Sequence, residues 1–268
     1  MPFATRCVHM VRSRTQLLLA AMIVASACAS ACTLSDVSGD GGDHDEPADY
    51  EVGPADGKAD GVPAVFDQSD VVGDDVFLND GAMDVAAVQA FLEDSPYGNR
   101  SWLADYSTAG GTSAAQAVIA AATQEGIAPL VLLARMQVES SLVSKSTRPS
   151  QGRINAIMGC GCPDGGGCSA QYQGFDKQLV CSAKTLRRWF DASADGTGEW
   201  RKGSSRRTLD HKLVTPANHA TASLYSYTPW VLPGRGGAWL VWNVTRKYVR
   251  FADDQGLHHA TPAGPTTP

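Results

Sequence analysis

The chain has 268 residues, 43% of them hydrophobic and 19% charged, with 27 Gly and 14 Pro, which excludes a collagen-like or wholly disordered protein. Its net charge of −6 argues against nucleic acid as a partner. A single N-terminal stretch is apolar enough to approach a membrane, so a polytopic membrane protein is excluded. The sum hides an asymmetry: residues 33–99 hold 17 acidic residues and one basic, Lys58, whereas residues 100–268 hold 18 Lys/Arg against 11 Asp/Glu. A cationic C-terminal body suits an anionic polymer such as a cell wall or lipopolysaccharide.

In chain order, Arg6, Arg12 and Arg14 precede the apolar run Leu17 to Ala25, followed by Ser26-Ala27-Cys28. A positive leader, a short apolar run and small residues at a cleavage site describe a secretory signal peptide over 1–27. Ala25-Ser26-Ala27-Cys28 also resembles a bacterial lipobox, which would make Cys28 the lipidated residue, with Cys32 as a second candidate. The implied location is the cell envelope, as an outer-membrane lipoprotein or else a secreted protein, touching the membrane through a lipid anchor only. Residues 28–63 are rich in Asp, Gly and Ala and nearly free of bulky apolar residues, as expected of a disordered acidic tether. Residues 256–268 are expected to form a disordered tail, leaving 64–255 as one domain.

Within that domain helical signals dominate. Asp84 can cap a helix with Val85, Val88, Phe91 and Leu92 on one face. Ser113-Ala-Ala-Gln116 is a capping box that opens an Ala-rich helix stopping at Gly126. Pro129 suits the first turn of a third helix running to about Ser141. Further helices are expected over Asp176 to Phe190, from Thr215-Pro216 through Tyr225, and from Ala238 to Phe251. Strand-like alternation is scarce, so the fold class is mostly α.

Between the third and fourth helices lie Cys160, Cys162 and Cys168, with Cys181 on the fourth. Four clustered cysteines in an exported chain read as two disulfides, with Cys160 and Cys162 each joined to Cys168 or Cys181. Their spacing does not match paired zinc knuckles, and no metal is expected.

The third helix carries the chemistry. Ala128 to Val138 is apolar on nearly every side, as in a buried helix, yet ends in Glu139, on the side of Leu132, Met136 and Val143. Burial and the negative pole of a helix C-terminus both favour a protonated carboxyl, the form a general acid at a glycosidic oxygen requires. The plainer alternative pairs Glu139 with Arg135, four residues earlier. Asp164 and Asp176 are candidate second carboxylates, against roles as turn and cap residues. Trp200, Trp230 and Trp239 offer indole faces to sugar rings, whereas Trp189 and Trp242 suit the core. Asp210, His211 and His219 lack an accompanying nucleophile motif.

Leu132-Leu-Ala-Arg-Met-Gln-Val-Glu139-Ser-Ser-Leu resembles the helix bearing the single catalytic Glu of the lysozyme-like lytic transglycosylases. The likeness covers about Phe66 to Phe251. Its further blocks are Asp70 to Phe77, Ala82 to Leu92, Gly161 to Asp164, Tyr172 to Gln178 and Ala220 to Pro229. It is closest to secreted actinobacterial and myxobacterial proteins with this domain, some named haemagglutinin-like.

The resemblance implies a lysozyme-like domain stapled by a disulfide loop, monomeric and without cofactor. It would act on peptidoglycan glycan strands at the bond between N-acetylmuramic acid and N-acetylglucosamine. The catalytic Glu carries over to Glu139, and Ser140, Tyr225, Tyr227 and Trp230 are the candidate substrate contacts. Tyr225 and Tyr227 compete for the role of the family's Glu-bonded tyrosine. Ile157-Met-Gly-Cys-Gly stands where the family has Gly-Leu-Met-Gln, so a cleft glutamine is missing. A non-catalytic glycan-binding or adhesion protein on the same scaffold is the alternative.

Overall fold

Residues 47–53, 59–79, 81–163 and 167–258 are described by the computed structural model, all within the unit Asp43–Pro268. The signal-peptide stretch, Cys28, much of the expected tether, Asp164 and the last residues of the tail lie outside them. The protein is mostly helical, in the order α1 (Pro47–Tyr50), α2 (Asp74–Phe77), α3 (Val85–Glu93), α4 (Ala114–Glu125), α5 (Pro129–Ser140), α6 (Gln151–Ile154) and α7 (Phe175–Ala194). A two-stranded antiparallel ladder follows, β1 (Arg206–Arg207) with β2 (Leu213–Val214), then α8 (His219–Tyr227) and α9 (Gly237–Asp254).

Local chemistry sets most of the helix ends. The Asp84 carboxylate accepts the Ala87 N–H and so caps α3. Ser113 and Gln116 form the reciprocal capping box of α4, and Gly126 closes that helix in the left-handed region at φ 64°. With Pro129 opening α5, the chain turns sharply between two buried helices. Leu130 through Gln137 are all buried, so α5 is the central helix, packed on α4, α7 and α9. The long helices α7 and α9 wrap it, and α7 also carries α4 and α8.

Two boundaries differ from the sequence expectation. The fifth expected helix starts not at Thr215-Pro216 but at His219, because the Asn218 side chain caps it by accepting the Thr221 N–H. Val214 is held in the ladder opposite Arg206, and the Pro216 carbonyl accepts the Gly203 N–H, so the proline serves the hairpin exit instead. The tether also ends earlier than residue 63. Ala59 and Val62 are buried, the Trp242 indole donates to the Pro63 carbonyl at 2.8 Å, and Asp49 sinks into the domain. Its carboxylate accepts from Tyr97 Oη at 2.5 Å, Gln137 Nε2 at 2.6 Å and Lys247 Nζ at 3.3 Å. Polar anchoring orders a segment whose apolar content is too low to order it. At the other end, Leu257 packs partly against the core, two residues beyond the expected domain limit.

Candidate functional site

Glu139 occupies the last turn of α5, before Ser141 ends the helix in the left-handed region at φ 53°. It is not enclosed as its apolar neighbours implied. Its side chain is 29% exposed, against 1% for Arg135 one turn back. A charged head at the end of a buried helix reaches solvent because the chain leaves the core there. Arg135 pairs through Nη2 with Glu139 Oε1, donates from the same nitrogen to Thr228 Oγ1 at 3.1 Å, and lies over the Tyr227 ring at 4.5 Å from its centroid. Its Nε and Nη1 are buried, with no hydrogen-bond partner among the described residues. The i,i+4 pairing set against the catalytic role is therefore present, and it leaves Oε2 without a hydrogen-bond donor among the described residues.

The backbone 157–160 runs beside that second oxygen. A Cβ placed on Gly159 would lie 3.8 Å from Glu139 Oε2, and the residue's φ of 65° suits glycine. Three side chains hold this segment, those of Tyr227, Gln178 and Cys181. Tyr227 Oη donates to the Met158 carbonyl at 2.7 Å. Gln178, fully buried on α7, accepts the N–H groups of Met158 at 3.2 Å and Cys160 at 3.1 Å, and donates to the carbonyls of Cys160 at 2.7 Å and Tyr172 at 2.8 Å. The Cys160–Cys181 disulfide then fastens the segment to α7, while Cys162–Cys168 closes the adjoining loop. Both bonds follow the expected pattern, and the pairing left open by the sequence is resolved. Burial raises the Tyr227 pKa, opposed by the Arg135 charge and reinforced by Glu139, so its hydroxyl stays a donor.

The other candidates separate from this cluster. Tyr225 is fully buried, stacked on Trp200 at 4.9 Å between centroids, and donates to the Gln68 carbonyl at 2.9 Å. It is two residues, or about 200°, around the helix from Tyr227, so only one of the pair can face Glu139. The Ser140 hydroxyl is buried and bonds back to the Met136 carbonyl at 2.8 Å, which takes it out of the substrate contacts expected of it. Trp230 is half-buried, its main chain packed against Gly237, and no contact joins it to Glu139 among the described residues. Trp200 and Trp239 are core residues, like Trp242, so their ring faces are not open to a sugar.

Asp176 lines a separate cavity of about 500 Å³ on α7 with Tyr172, Lys177, Lys184 and Arg188. Asp210 accepts the N–H groups of Val231 and Leu232, both at 3.1 Å, and the His219 Nδ1 pairs with Ser193 Oγ at 2.9 Å, so neither joins a triad. Among the described residues no group of three or more His, Cys, Asp or Glu is placed to hold a metal. Gln178 went unread in the sequence as a site residue. Its signal was a glutamine among Phe175, Leu179 and Ser182 on the buried face of an amphipathic helix.

The arrangement is one half-open carboxylate, its position fixed by a buried guanidinium and its free oxygen aimed along a stapled backbone segment. No protein-family model matches the sequence, and neither the curated proteins nor the solved structures yield a match.

Proposed function

We propose that the chain is an exported peptidoglycan lytic transglycosylase of lysozyme-like fold, with Glu139 as its acid and then its base. The observation that carries the reading is the convergence on Glu139 of Tyr227 through Arg135, and of the 157–160 backbone through Gly159. They stand near where the resemblance has its tyrosine and its cleft segment, with two departures: Tyr227 bonds the Met158 carbonyl rather than Glu139, and the segment carries no glutamine. In the proposed reaction the protonated Oε2 gives its proton to the glycosidic oxygen as the bond to the muramic C1 breaks. The carboxylate then takes the proton of the muramic C6 hydroxyl, whose oxygen bonds C1 and closes a 1,6-anhydro ring. No water is consumed, and the carboxyl ends protonated as it began. One group serves both steps, so the reading needs no second carboxylate. The proton must sit on Glu139 when the strand binds, displacing part of its attraction to Arg135.

That ion pair favours a second reading, a glycan-binding or adhesion protein without turnover, in which Glu139 only satisfies Arg135. Digestion of purified peptidoglycan followed by mass spectrometry distinguishes the two. The enzyme releases anhydro-muropeptides, each one water lighter than the hydrolytic product, and Glu139→Gln releases none. Binding to the polymer with no soluble product would establish the second reading, and reducing-end muramic acid would point to a hydrolase instead.

A further inference from the structure

The β1–β2 hairpin presents apolar and cationic side chains together. Leu209 and Leu213 are each 55% exposed, the two most exposed leucines of the described domain, and Arg206, Arg207 and Lys212 are exposed around them. Ladder register separates the faces. Arg207 is opposite Leu213 on one side, and Arg206 is opposite the buried Val214 on the other. Arg206 is engaged there, over Trp200 and paired with Glu199 at 2.8 Å. Arg207, whose Nη1 donates to the His211 carbonyl at 3.1 Å, shares the outer face with Leu213, and Lys212 is exposed at the rim of the other face, opposite Thr208.

The exposure is built in. Thr208, itself buried, donates its N–H to the Lys212 carbonyl at 2.9 Å and accepts the Lys212 N–H on Oγ1 at 3.0 Å. The Leu209 N–H is tied to the Pro229 carbonyl at 2.8 Å. Asp210, the acidic residue of the turn, points away from the tip to bond the Val231 and Leu232 N–H groups. The turn therefore holds two leucines and Arg207 outward, with Lys212 exposed at the rim, while its one carboxylate faces inward.

We propose that this hairpin is a membrane-contact site for a lipid surface with anionic headgroups, Leu209 and Leu213 entering the interface and Arg207 and Lys212 meeting headgroup phosphates. A soluble anionic polymer would be met by the cations alone and gives no reason for fixing two leucines in water beside them. The site is separate from Glu139 and stands whether or not that residue is catalytic.

The test is hydrogen exchange of residues 206–214 in the full chain, with vesicles of phosphatidylglycerol or of phosphatidylcholine. The apolar N-terminal run is common to every sample, so the readout is taken at the hairpin itself. Phosphatidylglycerol should slow exchange there, phosphatidylcholine should not, and salt should reverse the protection. Leu209→Ser with Leu213→Ser should raise the lipid needed for half-protection about tenfold. Arg207→Gln with Lys212→Gln should raise it about thirtyfold. All four side chains are exposed, and unchanged melting temperatures would verify that the variants fold. Absence of protection by phosphatidylglycerol overturns the proposal. So does protection that survives the double leucine substitution, the result expected of a site for a soluble polyanion.

Discussion

Replacing Glu139 by Gln removes a proton carrier and also takes from the buried Arg135 the only carboxylate it touches among the described residues. The substitution should therefore cost about 1–3 kcal/mol, less than a fully buried pair because Glu139 is partly solvated. For a domain of this size that is a fall of several degrees in melting temperature, at about 2–4 °C per kcal/mol. Adding Arg135→Met removes the orphaned charge with a side chain of similar reach, and most of the lost stability should return while cleavage stays abolished. A Glu139→Gln protein as stable as the parent would mean the pair contributes nothing and that Arg135 is satisfied otherwise. At this scale the sequence was informative about Glu139 and Arg135, because i,i+4 spacing on a helix fixes their contact. It was silent on Tyr225 against Tyr227, since the choice depends on the rotation of α8 about its own axis, which contacts with α7 and α2 decide. It also overstated the burial of Glu139, because hydrophobic neighbours along a helix do not say where the helix leaves the core.

Helices whose ends are written in local chemistry were readable as elements. The caps of α3 and α4 fall on Asp84 and Ser113, as side-chain chemistry requires, and α5 opens at Pro129, whose fixed φ suits the first turn. Pro216 misled because a proline suits a strand exit as well as a first helical turn, and the hairpin is stabilised by ladder partners that no local pattern reports. The docked segment around Asp49 was unreadable for a related reason: its partners Tyr97, Gln137 and Lys247 are 48, 88 and 198 residues away. The stapled loop joins both kinds of element, and its two disulfides should differ in weight. Cys160–Cys181 spans 21 residues and Cys162–Cys168 spans 6, so chain entropy assigns them about 3 and about 2 kcal/mol. The first also fastens the segment beside Glu139 to α7, whereas the second closes a loop on itself. Cys160→Ser with Cys181→Ser should lower the melting temperature more than Cys162→Ser with Cys168→Ser, and should impair glycan cleavage or binding more strongly. Equal losses in both pairs, or the reverse order, would show that Gln178 and Tyr227 hold the segment without help from the disulfide.

Across the whole molecule, buried phenols set a limit on the alkaline side. Tyr97 after α3, Tyr225 and Tyr227 on α8 and Tyr248 on α9 come from three separate regions, and all four have raised pKa values, in each case chiefly through burial. Asp49 adds to the effect at Tyr97 and Tyr248, whose hydroxyls lie 3.1 Å apart, and Asp210 adds to it at Tyr225. In the unfolded chain each phenol titrates near pH 10. Above that pH the unfolded state holds fewer protons than the native state, so stability falls as pH rises, while below it these groups contribute no pH dependence. Each buried tyrosine adds a slope of about 1.4 kcal/mol per pH unit, and four together give about 5–6. A native state worth about 5–15 kcal/mol is then consumed within one to three units above pH 10. Absorbance at the phenolate band and far-ultraviolet circular dichroism, followed on the same samples, provide the check. The chain has seven tyrosines. The four buried phenols should ionise only as helicity is lost, in one cooperative step. Ionisation of all seven near pH 10 with helicity retained would show that these hydroxyls are open to solvent and that the packing joining α8 and α9 to the rest of the domain is looser than described.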